Sequence, residues 1–196
     1  MRGARPHDPS VFEKSWSGLP SPGAVAPPSP KGRGNVRDNR DVRSVTAQII
    51  GVISDTHGLL RPEVSEIFKD VSLILHAGDI GSFEVLKTLK NLAPVVAVRG
   101  NNDIGAWANR IPQTKLVKLG SIYIFLLHDL KELKPKPGYD VVISGHSHRP
   151  SISRRDDVLF LNPGSAGPRR FKLPISVARL YIHNAAAEAE LVELRG

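Results

Sequence analysis

The 196-residue chain contains no cysteine. This absence excludes disulfide bonds, thiolate zinc sites and cysteine nucleophiles, so only nitrogen and oxygen side chains could bind a metal. No run of about 18 apolar residues occurs, which excludes a transmembrane helix. The first ten residues lack the apolar segment of a secretory signal. We therefore expect a cytoplasmic protein with no membrane partner.

Residues 1–46 differ in composition from the rest of the chain. They hold seven of the 16 prolines and half of the net charge of +8. Such a segment buries too little apolar area to offset the entropy of ordering it. We predict a disordered Pro/Gly/Arg-rich tail over 1–46 and one folded domain over 47–196. The tail is either a basic arm for nucleic acid or an acidic partner, or a loose extension, and its dispersed charges favour the extension.

The first part of the folded region alternates short apolar runs with helix-like segments. Apolar spacing predicts helices over 63–70 and 83–90, the second of them with Ser82 as its N-cap. Three β-branched runs are too short for helices and predict buried parallel strands at 47–53, 72–75 and 95–98.

From residue 115 onward the pattern changes to paired strands. Apolar runs flank Gly120-Ser121 and Asp156-Asp157, and each pair predicts a hairpin. A buried strand is predicted over 141–143, and alternating runs over 177–183 and 189–194 form a last pair. Many strands with few helices predict an α/β fold in which two sheets pack face to face with helices outside.

Polar side chains follow five of the predicted strands where each strand ends. Because the carboxyl ends of strands in α/β sheets converge on one cleft, we expect these side chains to meet. Mixed nitrogen and oxygen ligands suit Mn²⁺, Fe, Zn²⁺ or Co²⁺. Seven are too many for one ion with open positions, so they suit two ions that share a carboxylate. The seven are Asp55, His57, Asp79, Asn101, His128, His146 and His148.

Each motif by itself also has a structural explanation. Asp-x-His occurs in solvated turns, Gly-Asp and Gly-Asn are ordinary turn dipeptides, and a lone histidine is often a satisfied, half-buried side chain. Gly-His-x-His is more specific, because alternation puts both rings on one side of an extended segment. The order of the five motifs and their place at strand ends favour a functional site. We interpret the other histidines, His7, His76 and His183, as structural or solvent-exposed.

The motifs D-x-H, G-D, G-N, an isolated H and G-H-x-H occur here in the order found in the calcineurin-like metallophosphoesterase superfamily, which the sequence resembles. The segments SDTHG and HAGD and the run Asn162-Pro163-Gly164-Ser165 are similar to its small single-domain bacterial and archaeal phosphodiesterase branch. The likeness spans roughly residues 48–183. It implies a four-layer α/β/β/α sandwich of two mixed β-sheets flanked by helices.

The resemblance also implies two divalent cations bridged by Asp79. The first is held by Asp55, His57 and His148. The second is held by Asn101, His128 and His146. Mn²⁺ is the expected metal, with Fe, Zn²⁺, Ni²⁺ and Co²⁺ as alternatives. The residues predicted to be catalytic are Asp79, Asn101 and His146, and those predicted to bind substrate are Asn102 and Arg170.

We therefore predict a metal-dependent phosphodiesterase that cleaves a small-molecule phosphodiester by attack of a metal-bridging hydroxide. Ser54, Asp103 and Asp129 are adjacent to the ligands and are expected to fix the imidazoles. Asn102 stands where many family members have a histidine that protonates the leaving group. A carboxamide does not titrate near pH 7, which predicts a preference for activated diesters over unactivated monoesters. Asp129 stands where relatives often have glycine, and its charge is expected to slow anion binding.

Two other functions stay open. A eukaryotic retromer subunit shares the fold implied here as a non-catalytic interaction scaffold with a degraded metal site, whereas the complete set of seven ligands in this chain favours an enzyme. A nucleic-acid-processing phosphodiesterase would use the basic run Arg169-Arg170-Phe171-Lys172, although a solvated basic loop is the favoured explanation of that run. A homo-oligomer formed by pairing of edge strands is also open.

Overall fold

Short β-branched runs form most of the secondary structure in this computed structural model, which describes residues 47–134, 138–170 and 172–195. The tail predicted over 1–46 lies outside the described residues. The strands are β1 Gln48–Ile53, β2 Leu73–His76, β3 Val95–Ala97, β4 Thr114–Leu119, β5 Ile122–Leu127, β6 Val141–Ile143, β7 Ser151–Arg155, β8 Val158–Asn162, β9 Ser176–His183 and β10 Ala186–Glu193. The helices are α1 Glu63–Ile67 and α2 Phe83–Lys90, with 3₁₀ turns at Ala108–Arg110 and Leu130–Glu132.

The first sheet has the order β10-β9-β1-β2-β3. Strands β1, β2 and β3 are parallel, and Val52 pairs with Leu75, which pairs with Val96. Strand β9 runs antiparallel to β1 and forms a hairpin with β10. The parallel register brings the carboxyl ends of three consecutive strands to one edge of this sheet.

The second sheet has the order β4-β5-β6-β8-β7. Its centre is parallel, since Ile124 pairs with Val141 and Val141 with Leu159. Antiparallel hairpins β4-β5 and β7-β8 close the two sides, as the turn residues predicted. Each sheet is therefore mixed, and each has parallel strands whose loops can carry a site.

The two sheets pack face to face through a continuous apolar cluster. Val52, Leu75 and Leu180 from the first sheet and Ile124 and Ile143 from the second are fully buried in it. Burial of each such side chain stabilises the fold by about 1.5–3 kcal/mol. This layer holds the two sets of strand ends in fixed relation to each other.

The outer faces of the sheets are covered differently. Both α-helices of the described residues pack on the first sheet, where Phe68 and Leu89 are fully buried. A smaller cluster covers the second sheet, and it includes Val142, Phe160 and Leu133, which follows a 3₁₀ turn. The α/β sandwich of two mixed sheets is thus confirmed. None of the helices in the described part of the chain is long and apolar enough to cross a membrane.

Three local predictions differ from the structure. Helix α1 ends at Ile67 and not at residue 70, because Phe68 leaves helical geometry, with φ −101° and ψ 12°, and its ring packs under Gly51. Ser82 occupies the N-cap position of α2 in extended geometry, but its side chain makes no capping hydrogen bond. Strand β10 begins three residues before the predicted start at 189, because Asn184 and Ala185 have φ of 48° and 63° and form the tight turn.

Candidate metal centre

The seven residues predicted to hold metal lie in loops at the carboxyl ends of strands from both sheets. The first sheet supplies Asp55 and His57 after β1, Asp79 after β2 and Asn101 after β3. The second sheet supplies His128 after β5, and His146 and His148 after β6. The edges of the two sheets meet here, and the structure brings all seven side chains together.

One group of ligand atoms joins Asp55, His57 and His148. The distance from Asp55 Oδ1 to His148 Nε2 is 3.3 Å. The Nε2 atoms of His57 and His148 are 3.4 Å apart, and the two rings are stacked. Three ligand atoms of these residues thus lie within 4.8 Å of one another, close enough to hold one ion.

A second group joins Asn101, His128 and His146. Asn101 Oδ1 lies 3.1 Å from His128 Nε2 and 3.0 Å from His146 Nδ1. The two ring nitrogens are 3.3 Å apart. One amide oxygen and two imidazole nitrogens therefore converge on a point that is separate from the first group.

Asp79 lies between the two groups. Its Oδ2 is 3.9 Å from His57 Nε2 in the first group, and its Oδ1 is 3.4 Å from His128 Nε2 in the second. Asp55, Asp79 and His128 also form a cluster of ligand atoms within 4.8 Å, and all three are buried. A carboxylate with one oxygen toward each group has the geometry of a bridging ligand.

The residues present fit divalent cations. Asp55 Oδ1 is buried and has no hydrogen-bond partner among the described residues, as expected of an atom that is reserved for a ligand. His128 Nδ1 donates a hydrogen bond to the Ala77 carbonyl oxygen at 2.8 Å, which orients Nε2 toward Asp79 and Asn101. Imidazole nitrogens with carboxylate and amide oxygens suit first-row transition metals.

Electrostatics favour the ionisation states that metal binding needs at two of these residues. Burial lowers the pKa of His57, although Asp79 opposes the change, so the imidazole is neutral near pH 7. Burial favours the neutral form of Asp79, but hydrogen bonds from His128 and Asn102 outweigh it and hold the pKa of Asp79 well below its usual range. The pKa of His128 is raised, because its bonds to Asp79 and Ala77 outweigh burial.

The backbone is strained at most of the candidate ligands. Among the described residues outside the hairpin turns, the non-glycine residues with positive φ are Asp55 at 53°, His57 at 47°, Asp79 at 52°, His146 at 65° and His148 at 57°. Left-handed geometry costs a non-glycine residue of the order of 1 kcal/mol or more and persists only where surrounding contacts impose it. Five such residues in one cleft indicate that surrounding contacts hold these side chains in position at a cost in folding stability.

Two glycines that precede ligands are required by close approach. A Cβ added at Gly100 would lie 2.2 Å from Asp79 Oδ1, and one added at Gly78 would lie 2.6 Å from His128 Nδ1. Gly78 also has a φ of 88°, which disfavours any side chain. The Gly-Asp and Gly-Asn pairs are therefore more than turn dipeptides, because the loops could not pack around Asp79 with larger residues.

The three residues expected to fix imidazoles act in different ways. Ser54 Oγ donates to the Gly164 carbonyl oxygen at 2.6 Å, and Asp103 accepts the N–H groups of Gly81 and Gly100, each at 2.8 Å. For these two the prediction is wrong, because they hold backbone segments and not rings. Asp129 does contact an imidazole, with Oδ2 3.6 Å from His146 Nε2.

The two residues predicted to bind substrate differ in their surroundings. Asn102 donates two hydrogen bonds to Asp79, from its backbone N–H to Oδ1 at 2.9 Å and from Nδ2 to Oδ2 at 2.6 Å. Arg170 is exposed, and its charge contributes to the lowered pKa of His57. Asn102 is thus held against the bridging carboxylate, while Arg170 adds positive charge near the cleft.

Sequence reasoning gave no role to several supporting residues. His76 is fully buried, and its Nε2 lies 3.0 Å from Thr56 Oγ1, which in turn donates to the Ile80 carbonyl oxygen. Asn162 and Ser165 bond to the loops that carry the ligands. The run Asn162-Pro163-Gly164-Ser165 was a signal for the second pair. The segment HAGD begins with His76, but the sequence did not show that this histidine bonds to Thr56.

Residues 49–185 match the calcineurin-like phosphoesterase superfamily domain, so the chain belongs to this family. A probable metallophosphoesterase of Methanothermobacter thermautotrophicus is 40% identical over 159 residues, which cover 74% of this chain and 91% of that protein. A phosphodiesterase of Methanocaldococcus jannaschii is 36% identical over 137 residues, which cover 59% of this chain and 82% of that protein.

Solved structures show the same architecture. A novel archaeal phosphodiesterase superposes with a TM-score of 0.64 at 28% identity, covering 75% of this chain and 100% of that one. Vacuolar protein sorting 29 of Cryptosporidium parvum superposes with a TM-score of 0.62 at 20% identity, covering 76% of this chain and 99% of that one. The second likeness shows the fold alone.

Proposed function

We propose that this chain is a phosphodiesterase that uses two divalent cations to cleave small-molecule phosphodiesters. The observation that carries the proposal is the position of Asp79, which directs one carboxylate oxygen toward each of two clusters of nitrogen and oxygen ligands. The phosphodiesterase of Methanocaldococcus jannaschii among the relatives supports the reaction class.

Each side chain has a distinct part in this proposal. Asp55, His57 and His148 hold the first cation, and Asn101, His128 and His146 hold the second. A bound pair of cations supplies a water of lowered pKa and positive charge for the phosphoryl oxygens. The protein's own contribution is positioning, since the strained loops fix the ligand atoms before substrate arrives.

Asn102 determines which substrates we expect to react fastest. Its amide donates to Asp79 Oδ2 and has no proton that titrates near pH 7. No acid is therefore supplied at this position for a poor leaving group, so activated diesters should outpace unactivated monoesters. Arg170 stands near the cleft and would attract the anionic substrate.

The nitrogen and oxygen donor set is compatible with several divalent metals. Mn²⁺ is the metal we favour, and Fe, Zn²⁺, Ni²⁺ and Co²⁺ suit the same donor set. The cytoplasmic location stays a prediction from the sequence. Homo-oligomer formation through edge strands also stays a prediction.

The test is hydrolysis of bis(4-nitrophenyl) phosphate by metal-stripped protein to which Mn²⁺ is added back. We expect turnover that depends on Mn²⁺ and is lost in His146→Ala. His183→Ala is a matched control, since His183 is also an exposed histidine but lies at the end of β9 in the last hairpin. An alkyl monoester turned over as fast as the aryl diester would contradict the role of Asn102.

Two alternative functions predict different experimental results. Tight Mn²⁺ binding without turnover of any diester would favour a non-catalytic interaction scaffold, the function suggested by retromer-like members of the fold. Against the scaffold, all seven candidate positions carry side chains that can coordinate. Steep salt dependence of binding to nucleic acid, weakened by removal of residues 1–46, would favour a nucleic-acid-processing enzyme.

A further inference from the structure

A buried segment that begins at the last residue of β8 contacts two loops of the candidate metal centre at once. We call residues 162–166 the strap. Asn162, Ser165 and Ala166 are 7%, 5% and 0% exposed. The strap lies against the loop after β1, which carries Asp55 and His57, and against the loop after β6, which carries His146 and His148.

Asn162 forms the end of the strap that holds the loop after β6. Its Nδ2 donates to the Gly145 carbonyl oxygen at 2.7 Å and to Ser147 Oγ at 3.1 Å. Its Oδ1 accepts the N–H of Gly164 at 2.9 Å. Both hydrogens of the amide are used, and the bonded residues Gly145 and Ser147 alternate with the two histidines of this loop.

The other end of the strap holds the loop after β1. Ser165 Oγ donates to the Asp55 carbonyl oxygen at 2.9 Å, and the Ala166 N–H donates to the Ser54 carbonyl oxygen at 3.1 Å. Ser54 Oγ returns a bond to the Gly164 carbonyl oxygen. Five consecutive residues thus connect a loop of the first sheet to a loop of the second.

We propose that Asn162 is a positioning residue that sets the spacing of His57 and His148 across the two sheets. Their Nε2 atoms, 3.4 Å apart, come from loops whose relative position the strap fixes through hydrogen bonds to both. Each histidine has left-handed backbone geometry, which relaxes unless neighbouring contacts maintain it. The inference rests on the proposed function, because the spacing matters only if both rings bind one cation.

The test is Mn²⁺ binding to metal-stripped Asn162→Asp, measured by titration calorimetry and by electron paramagnetic resonance. Aspartate keeps the size of the side chain and the acceptor for the Gly164 N–H, but it cannot donate to the Gly145 carbonyl oxygen. We expect Mn²⁺ affinity to fall about 10–100-fold, as for loss of other groups that orient metal ligands. The resonance signal of two coupled Mn²⁺ ions should disappear at stoichiometric metal.

Ser176→Ala is the matched control. The Ser176 hydroxyl is buried and donates to the Pro163 carbonyl oxygen of the same strap at 2.6 Å, but among the described residues it makes no side-chain bond to either ligand loop. This variant should unfold at a lower temperature and yet bind Mn²⁺ as the wild type does. The comparison separates positioning from general stability.

Two results would overturn the inference alone. They are unchanged Mn²⁺ binding in Asn162→Asp, and equal losses of affinity in Asn162→Asp and Ser176→Ala. If Asn162→Asp does not fold, Ser165→Ala carries the same test from the other end of the strap, with the same expected loss and the same contradicting results. A wild type that binds no Mn²⁺ would instead overturn the proposed function, and this inference with it.

Discussion

In the first half of the candidate metal centre, Asp55 and His148 are buried and His57 is half-buried, whereas in the second half only His128 is buried and Asn101 and His146 are exposed. The His146 side chain is 39% exposed, against 9% for His148. The halves also differ in charge, because the first combines the carboxylates of Asp55 and Asp79 and the second adds only neutral ligands to Asp79.

This difference indicates that the side chains of the two halves are ordered to different degrees before a cation binds. Buried side chains have already lost their rotamer freedom on folding, but exposed ones lose it only when a cation binds. Two carboxylates also attract a cation more strongly than one, most of all where water is excluded. We therefore expect the first half to bind its cation more tightly than the second.

The largest effect is expected from Asp79→Asn, because this residue is shared by both halves. An amide cannot place an anionic oxygen toward each group, so both cations should be lost and phosphodiester turnover abolished. The loss of affinity should exceed the about 10–100-fold that removal of an outer partner causes. Calorimetric titration with Mn²⁺ measures it, and a variant that keeps one tight cation would show that the halves do not share Asp79.

A smaller but more selective effect is expected from a pair of histidine variants. His148→Ala should remove the tight cation and His146→Ala the weak one, so each should leave one of two binding steps in the titration. His148→Ala should also lower the unfolding temperature more, because it leaves a cavity beside Asp55. Identical titrations for the two variants would remove the distinction between the halves.

The next effect concerns the pH dependence of folding stability. His76 bonds to Thr56, which lies between Asp55 and His57, and burial lowers the pKa of His76 to about 4. The ordinary value is 6.5, so below that pH the unfolded chain binds a proton that the folded chain excludes. Neutral His76 thus makes its full contribution to the free energy of unfolding above pH 6.5. This contribution is lost as the pH falls toward 4, which lowers the free energy of unfolding by about 3 kcal/mol.

His76→Gln should reduce this pH dependence. Glutamine can still donate to Thr56 Oγ1 but does not titrate, so denaturant unfolding of metal-free protein should vary less between pH 7 and 5 than in the wild type. Comparing the two proteins cancels the contributions of groups they share. An unchanged pH dependence would show that His76 is not protonated when the chain unfolds.

The smallest effect is expected from Asp129→Asn in the exposed half. Its carboxylate lies 3.6 Å from His146 Nε2, and exposed pairs of this kind contribute about 0.2–1 kcal/mol. The weak cation should therefore bind a few-fold less tightly, while KM for an anionic diester falls because a repelling charge is gone. If Asp129→Asn instead weakened binding of the tight cation, the assignment of Asp129 to the second half would be wrong.

The sequence alone predicted the strands and the convergence of their ends, because short β-branched runs and the residues after them are local signals. It could not predict the strained backbone of residues such as His146, since left-handed geometry is imposed by contacts from other loops. It likewise assigned no role to Asn162, whose side chain bonds to residues 15 and 17 positions away. The helix end at Ile67 was missed because tertiary burial of Phe68 overrides helical spacing.

The central claim is that seven side chains from two sheets hold a pair of divalent cations bridged by Asp79. An anomalous-scattering map of Mn²⁺-soaked crystals tests it most directly. The account predicts two peaks about 3.5–4 Å apart, one beside Asp55 and one beside Asn101, with Asp79 in contact with both. A map with a single peak, or with metal bound elsewhere and none between these loops, would contradict it.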